Sequence, residues 1–339
     1  MRVSRPLNWA MVDLNALEVD EVYAELNGAG LIRRLLELAR DEDLAGSGGD
    51  RGGTDWELGD LTSRALVPGY VRGRARVVFR QAGVVSGLAA LDEMLLVFKA
   101  DVDVEIAIAD GQSARAGDTV ATLTGDMRSI LRVERTLLNL VSRLSGIATR
   151  SAMFVSAAKA GGGTAGVFDT RKTTPGLRVL EKYAVRCGGA KLHRIGLYDA
   201  VMIKDNHLAS LRGLSGAAGM EGLVAEVKGA ARKARQEAPR GGLRFVELEV
   251  DSLDQLGAVL DAGGCGVDII LLDNMSPELL RAGVKMRDDA RELTGPIQLE
   301  ASGGVNLDTI GAIAATGVER VSTGSMTHGA TWLDVGLDL

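Results

Sequence analysis

The chain has 339 residues, enough for two domains or for one large barrel with an appendage, and enough to bury a core without disulfide or metal staples. Lys and Arg total 39 against 45 Asp and Glu, and the resulting net charge of -6 argues against a general nucleic-acid binder or a basic membrane-surface protein. With 46% hydrophobic and 25% charged residues, the composition is that of a globular domain and not of a disordered chain.

Cys187 and Cys265 are the only cysteines; they have no zinc-type spacing and suit a reducing cytoplasm. The apolar stretch between Met1 and Asp13 is broken too early for a signal-peptide core. No window approaches the ~18 consecutive apolar residues of a membrane span, so a soluble cytoplasmic protein is expected.

In chain order, residues 13–44 have helical periodicity in two pieces, with Val19, Val22 and Leu26 before a break at Gly28-Ala29-Gly30 and Leu31, Leu35 and Leu38 after it. Residues 45–57 have the Gly-rich composition of a surface loop. Between 62 and 125 the pattern alternates, as in Val71–Phe79 and Val102–Ile108, which predicts a small antiparallel sheet. The turn region Asp110–Ala121 is similar to a biotinyl or lipoyl carrier hairpin, but its tip lacks the modified lysine, so it reads as structural.

A long amphipathic helix is expected from Ser129 to about Lys159. Short apolar strands then alternate with helices: Val167–Asp169, Ala200–Lys204, Phe245–Val250, Asp268–Asp273, Ile297–Glu300 and Arg320–Ser322. Ser252, Ser276 before Pro277, and Asn306 supply helix-start signals. Such alternation predicts a parallel α/β barrel, whose active site lies at the C-terminal strand ends. Those ends present Asp169, Lys204, Glu249, Asp273 and Glu300.

Three clusters carry candidate chemistry. Asp169-Thr170-Arg171-Lys172-Thr173-Thr174-Pro175-Gly176 sets two adjacent cations past a strand end. His193-Arg194 and Lys204-Asp205-Asn206-His207 gather two of the three histidines beside further cations. Ser302-Gly303-Gly304 and Ser322-Thr323-Gly324-Ser325 are small-residue turns after the last two strands, where backbone N–H groups can cradle a phosphate. A cationic pocket, a phosphate cradle and strand-end carboxylates suit a small anionic substrate and a Mg²⁺-assisted transfer at a sugar carbon.

At these residues the chain resembles quinolinate phosphoribosyltransferases (nicotinate-nucleotide pyrophosphorylase, carboxylating). The resemblance rests on Val133–Asn139, Leu144–Thr149, Asp169–Gly176, Glu181–Arg186, Lys204–His207, Glu249–Ser252, Leu272–Asn274, Glu300–Gly304 and Thr327-His328. It implies an N-terminal α/β sandwich domain, residues 1–138, followed by an incomplete parallel α/β barrel, 139–326, with the tail 327–339 packing back on the first domain. The implied reaction joins quinolinate to phosphoribosyl pyrophosphate, giving nicotinate mononucleotide, CO₂ and diphosphate, in a homodimer or higher homo-oligomer with shared sites.

The resemblance also implies roles. Arg135, reaching in from the partner subunit, would hold the dicarboxylate with Arg171, His193, Arg194 and Lys204. Lys172 would sit by the diphosphate and, with Glu249 and Asp273, form the catalytic set. Glu249 and Asp273 would face the ribose and Mg²⁺, with no organic cofactor. Ser302, Gly303, Gly304 and Gly324 would take the 5′-phosphate, and Ser322 belongs to the same cradle.

Two departures from the family pattern stand out. Leu192 occupies the place of the usual Asn in Gly-Gly-x-x-Asn-His-Arg, and residues 45–57 form an insertion. The alternatives are a nicotinate-type or molybdenum-associated phosphoribosyltransferase, and a catalytically silent oligomeric homologue.

Overall fold

A computed structural model describes residues 12–339 apart from 29, 45–58, 209, 211–218 and 239–241, so the expected insertion lies outside the described residues. The first helices are α1 (Val19–Asn27) and α2 (Leu31–Leu44). Helix expected from residue 13 begins only at Val19, because Asp13 accepts the Asn15 N–H at 3.0 Å in a local turn and Glu18 opens α1 through a capping box with Glu21.

After α3 (Leu61–Leu66) come β1 (Arg72–Phe79), β2 (Gly83–Val84), α4 (Leu91–Phe98), β3 (Val102–Ile106), β4 (Ser113–Ala114) and β5 (Thr119–Asp126). Alternation along β1 turns Ala75, Val77 and Phe79 inward. There they join Met94 and Phe98 of α4 in the main core. Asp126 caps α5 (Met127–Ala160) by accepting the Ser129 N–H at 2.8 Å, so the long helix starts two residues before Ser129. Gly146, midway along α5, has no room for a side chain: a Cβ there would stand 2.0 Å from the Thr331 carbonyl oxygen. The C-terminal segment therefore lies directly on the helix backbone.

The second sheet holds β6 (Gly166–Phe168), β7 (Val201–Ile203), β8 (Val246–Val250), β9 (Ile269–Asp273), β10 (Gln298–Ser302) and β11 (Arg320–Ser322). Its order is β6-β11-β10-β9-β8-β7, parallel throughout, with α6 (Arg178–Cys187) between β6 and β7 in sequence. This is an α/β barrel with one seam, between β6 and β7. The final strand, β12 (Val335–Asp338), returns to pair antiparallel with β1, completing the order β12-β1-β5-β3. No helix among the described residues is long and apolar enough to cross a membrane.

Candidate active site

Strand alternation decides what the barrel mouth presents. Every second residue of a strand faces the same side, so Glu247 and Glu249 share one face of β8. Glu300 and Ser302 do so on β10, and Arg320 and Ser322 on β11. A cleft of about 640 Å³ opens at the C-terminal strand ends. Its lining includes Arg171, Lys172, His193, Arg194, Lys204, Glu249, Asp273, Ser302, Gly303, Gly304 and Ser322, together with Asp169, Thr170, Met202, Leu271, Asn274 and Glu300.

The loop after β6 is held from behind. Asp169 and Lys182 form a fully buried ion pair at 2.6 Å, and the same carboxylate takes the His193 N–H at 2.8 Å. Glu181 accepts from Thr174 Oγ1 at 2.8 Å and from Thr174 N at 3.1 Å, and Arg143 of α5 donates to it at 2.7 Å. Thr327 Oγ1 donates to the Lys172 carbonyl at 2.6 Å. These bonds fix the loop so that Arg171 and Lys172 face the cleft.

The cations there are poised for anions. Among the described residues, neither Arg171 nor Arg194 is paired with a carboxylate, and Arg171 Nε is buried without a partner. Burial and then the neighbouring Arg171 hold Arg194 below its ordinary pKa. Lys204, in contrast, is ion-paired with Glu249 across the mouth.

Beneath them lies a buried charge cluster. His193 Nε2 is 3.1 Å from Glu247 Oε2 and 3.4 Å from Glu300 Oε1, while Arg320 Nε donates to Glu300 at 2.6 Å. Arg320 also lies over the Phe168 ring, 3.7 Å from its centroid. Burial works against charge on His193, but Glu300 and then Glu247 overcome it and lift its pKa to about 9. Burial likewise opposes ionisation of Glu300, yet His193 and then Arg320 hold that carboxyl down at about 2. Burial and then Glu300 push Glu247 up.

Nε2 is buried against the carboxylates and Nδ1 accepts the Arg194 N–H at 2.8 Å, so in this geometry neither ring nitrogen is free to donate into the cleft, and the ring acts there through its charge when protonated. A second proton must go on Nδ1, which displaces that N–H. The donor atoms of His193, Glu247 and Glu300 lie within 4.8 Å of one another, a spacing that could hold a metal. With His193 protonated, the ring and Arg320 would balance the two carboxylates without an ion.

The opposite wall is built from the ends of β9, β10 and β11. Asn274 has φ +54°, the left-handed region, and its N–H donates to the Ser302 carbonyl at 2.9 Å. Gly303 has φ +87°, and a Cβ there would come 2.2 Å from Asn274 Oδ1, so only glycine fits. At Gly304 a Cβ would meet nothing within 4 Å, leaving open space beside the backbone. Ser322 Oγ donates to Ser302 Oγ at 3.1 Å, joining the two turns.

Residues 147–338 match the family description "Quinolinate phosphoribosyl transferase, C-terminal domain", and residues 60–145 match its N-terminal counterpart. The chain belongs to the quinolinate phosphoribosyltransferase family. Within this family, the nicotinate-nucleotide pyrophosphorylase [carboxylating] of Mycobacterium leprae is 40% identical over 286 residues, 83% of this chain and 91% of that one. Quinolinate phosphoribosyltransferase [decarboxylating] 1 of Nicotiana glauca is 32% identical over 97% of this chain and 88% of its own length. The solved nicotinate-nucleotide pyrophosphorylase of Francisella tularensis superposes with a TM-score of 0.75 at 30% identity, covering 96% of this chain and 99% of that one.

Three sequence-selected residues stand apart from the cleft. Arg135 is exposed on α5 and does not line it. Gly324 sits just behind: a Cβ there would be 2.9 Å from Lys172 Cδ. His207 is exposed, and its Nδ1 accepts the Lys204 N–H at 3.0 Å, so it caps its own turn. Sequence reasoning passed over Met202, Leu271, Asn274, Glu247 and Arg320. The signal for Glu247 was present, since glutamates at alternate positions of an otherwise apolar strand must share a face.

Proposed function

We propose that this chain transfers phosphoribosyl from phosphoribosyl pyrophosphate to quinolinate with loss of CO₂, forming nicotinate mononucleotide and diphosphate. The observation that carries the reading is the set of cations, Arg171, Lys172, His193, Arg194 and Lys204, converging on one cleft opposite Glu249 and Asp273. Arg171, His193, Arg194 and Lys204 hold the two carboxylates of the pyridine. Lys172 lies by the diphosphate, and Ser302, Gly303, Gly304, Ser322 and Gly324 form the 5′-phosphate wall.

Glu249 and Asp273 face the ribose. They also border a side recess of about 170 Å³ lined by Asp205 and Asp251, whose carboxylate oxygens are the donor type Mg²⁺ prefers. Bound there by Glu249 and Asp273, Mg²⁺ would supply neutralising charge for the departing diphosphate. The ring nitrogen attacks C1 of the ribose as the diphosphate leaves with the bonding pair. In the resulting pyridinium the adjacent carboxylate departs as CO₂, its electron pair remains on the ring carbon beside the cationic nitrogen, and a proton from solvent replaces it. The chain's part is positioning and charge, and it needs no protein nucleophile.

Arg135, exposed on α5 and outside its own cleft, reaches the site of a second copy, which makes the working unit a dimer. The two domains meet along α5, with the barrel carrying the chemistry. Burial and then Asp110 push the Cys187 thiol up to about 12, so it stays an inert packing group, in keeping with a reducing compartment.

The test is to supply quinolinate, phosphoribosyl pyrophosphate and Mg²⁺ and to measure CO₂ and nicotinate mononucleotide. Equal amounts of the two products support the reading; mononucleotide formed from nicotinate alone overturns it.

A further inference from the structure

The β6 edge of the barrel seam carries an improvised strand. Lys191 bridges to Phe168 in parallel fashion, its N–H donating to Val167 O at 2.8 Å and its carbonyl accepting from Asp169 N at 3.0 Å. In an extended chain the next residue turns both backbone groups the other way. Those of Leu192 therefore point toward the seam, where a neighbouring strand would otherwise meet them. The side chain of Asn15 meets them instead: Leu192 N–H donates to Asn15 Oδ1 at 2.7 Å, and Asn15 Nδ2 donates to Leu192 O at 2.9 Å. A carboxamide has the donor and acceptor of a peptide group, so one side chain replaces one rung of a β-ladder.

The clasp is anchored. Leu14 is fully buried in the core, and the Leu17 carbonyl accepts from Arg186 at 2.9 Å. Leu192 is itself fully buried, so both its backbone groups need partners. Asn15 lies outside both matched family regions, 60–145 and 147–338. His193 and Arg194 follow Leu192 directly, and both line the cleft.

We propose that Asn15 is a positioning residue for the dicarboxylate pocket, its amide serving as the missing strand that holds the peptide carrying His193 and Arg194. The proposal rests on the functional reading above, in which those two residues grip the pyridine carboxylates. Asn15 touches no substrate and acts through the segment it clasps.

The full-length chain is tested as Asn15→Leu, which has similar volume and neither polar group, and as Asn15→Asp, which keeps the acceptor and loses the donor. Two steady-state KM values, phthalate affinity by calorimetry and the thermal midpoint are measured for each. Losing the clasp is expected to weaken quinolinate and phthalate about 10-fold in Asn15→Leu and less in Asn15→Asp, with the KM for phosphoribosyl pyrophosphate within about 2-fold.

In a His193→Ala background, the added Asn15→Leu change is expected to cost clearly less than in the intact chain, because the part of its effect that passes through the ring is gone and only the part through Arg194 remains. Equal weakening of both substrates in step with a lowered midpoint, full additivity with His193→Ala, or no change at all overturns the proposal. If His193→Ala leaves phthalate binding intact, the assignment of the pocket falls first, which is a different result from failure of Asn15 alone.

Discussion

Glu247→Gln removes one charge and almost no volume from beneath His193. Both Glu247 side-chain oxygens are buried without a hydrogen-bond partner, and one lies 3.1 Å from His193 Nε2, so this carboxylate acts mainly on the ring. The rise of the His193 pKa from 6.5 to about 9 amounts to about 3 kcal/mol of net preference for the charged ring at 1.36 kcal/mol per tenfold change in proton affinity. Two carboxylates produce that preference against the cost of burial, so losing one should move the ring's titration down toward neutrality.

A charge-assisted contact to a carboxylate contributes about 1.5–3 kcal/mol, so quinolinate affinity at pH 7.5 should fall at least about 10-fold. Calorimetric titration with phthalate across pH 6–9.5 reads this directly. The intact chain should bind evenly up to pH 8 and weaken as the pH rises through about 9, whereas the variant should weaken near neutrality. Stability follows the same sign: a raised folded-state pKa contributes fully below about 6.5 and is lost as pH rises through 9. An unchanged pH profile in Glu247→Gln would refute the idea that His193 serves as a cation.

Other perturbations reach separate parts of the site. Gly303→Ala forces a Cβ into Asn274 at a left-handed φ, so the KM for phosphoribosyl pyrophosphate should rise well before that for quinolinate, and steady-state kinetics with each substrate varied will show it. Lys182→Met strands the buried Asp169 carboxylate and should cost about 3–5 kcal/mol in denaturant unfolding, whereas an exposed pair such as Lys285–Asp289 should cost under about 1 kcal/mol. Arg135→Ala and Lys172→Ala chains, each inactive alone, should regain activity when mixed and reassembled; silence of the mixture would contradict sharing of sites between subunits.

The barrel strands were legible because they are short apolar runs alternating with helices, two of which carry their own start signals at Ser252 and Ser276. The mouth was legible because polar residues at strand ends have one place to go in a barrel. What stayed hidden depends on contacts distant in sequence. Nothing in the local pattern of residues 13–18 announces that Asn15 serves Leu192, 177 positions away. Arg320 is only the head of a short strand in the sequence, and it is the register that places it beside Glu300 and over Phe168. Leu192, in the place of the family's usual Asn, has no polar side chain, and the groups that need partners there are its backbone N–H and C=O.

The comparison that bears most directly on the whole account is kcat/KM for quinolinate against nicotinate, both with phosphoribosyl pyrophosphate and Mg²⁺. Buried cations left unmatched by a missing carboxylate are costly, so quinolinate should be favoured by about 10⁴-fold or more. Equal use of the two acids would mean that the cations at the barrel mouth grip something else.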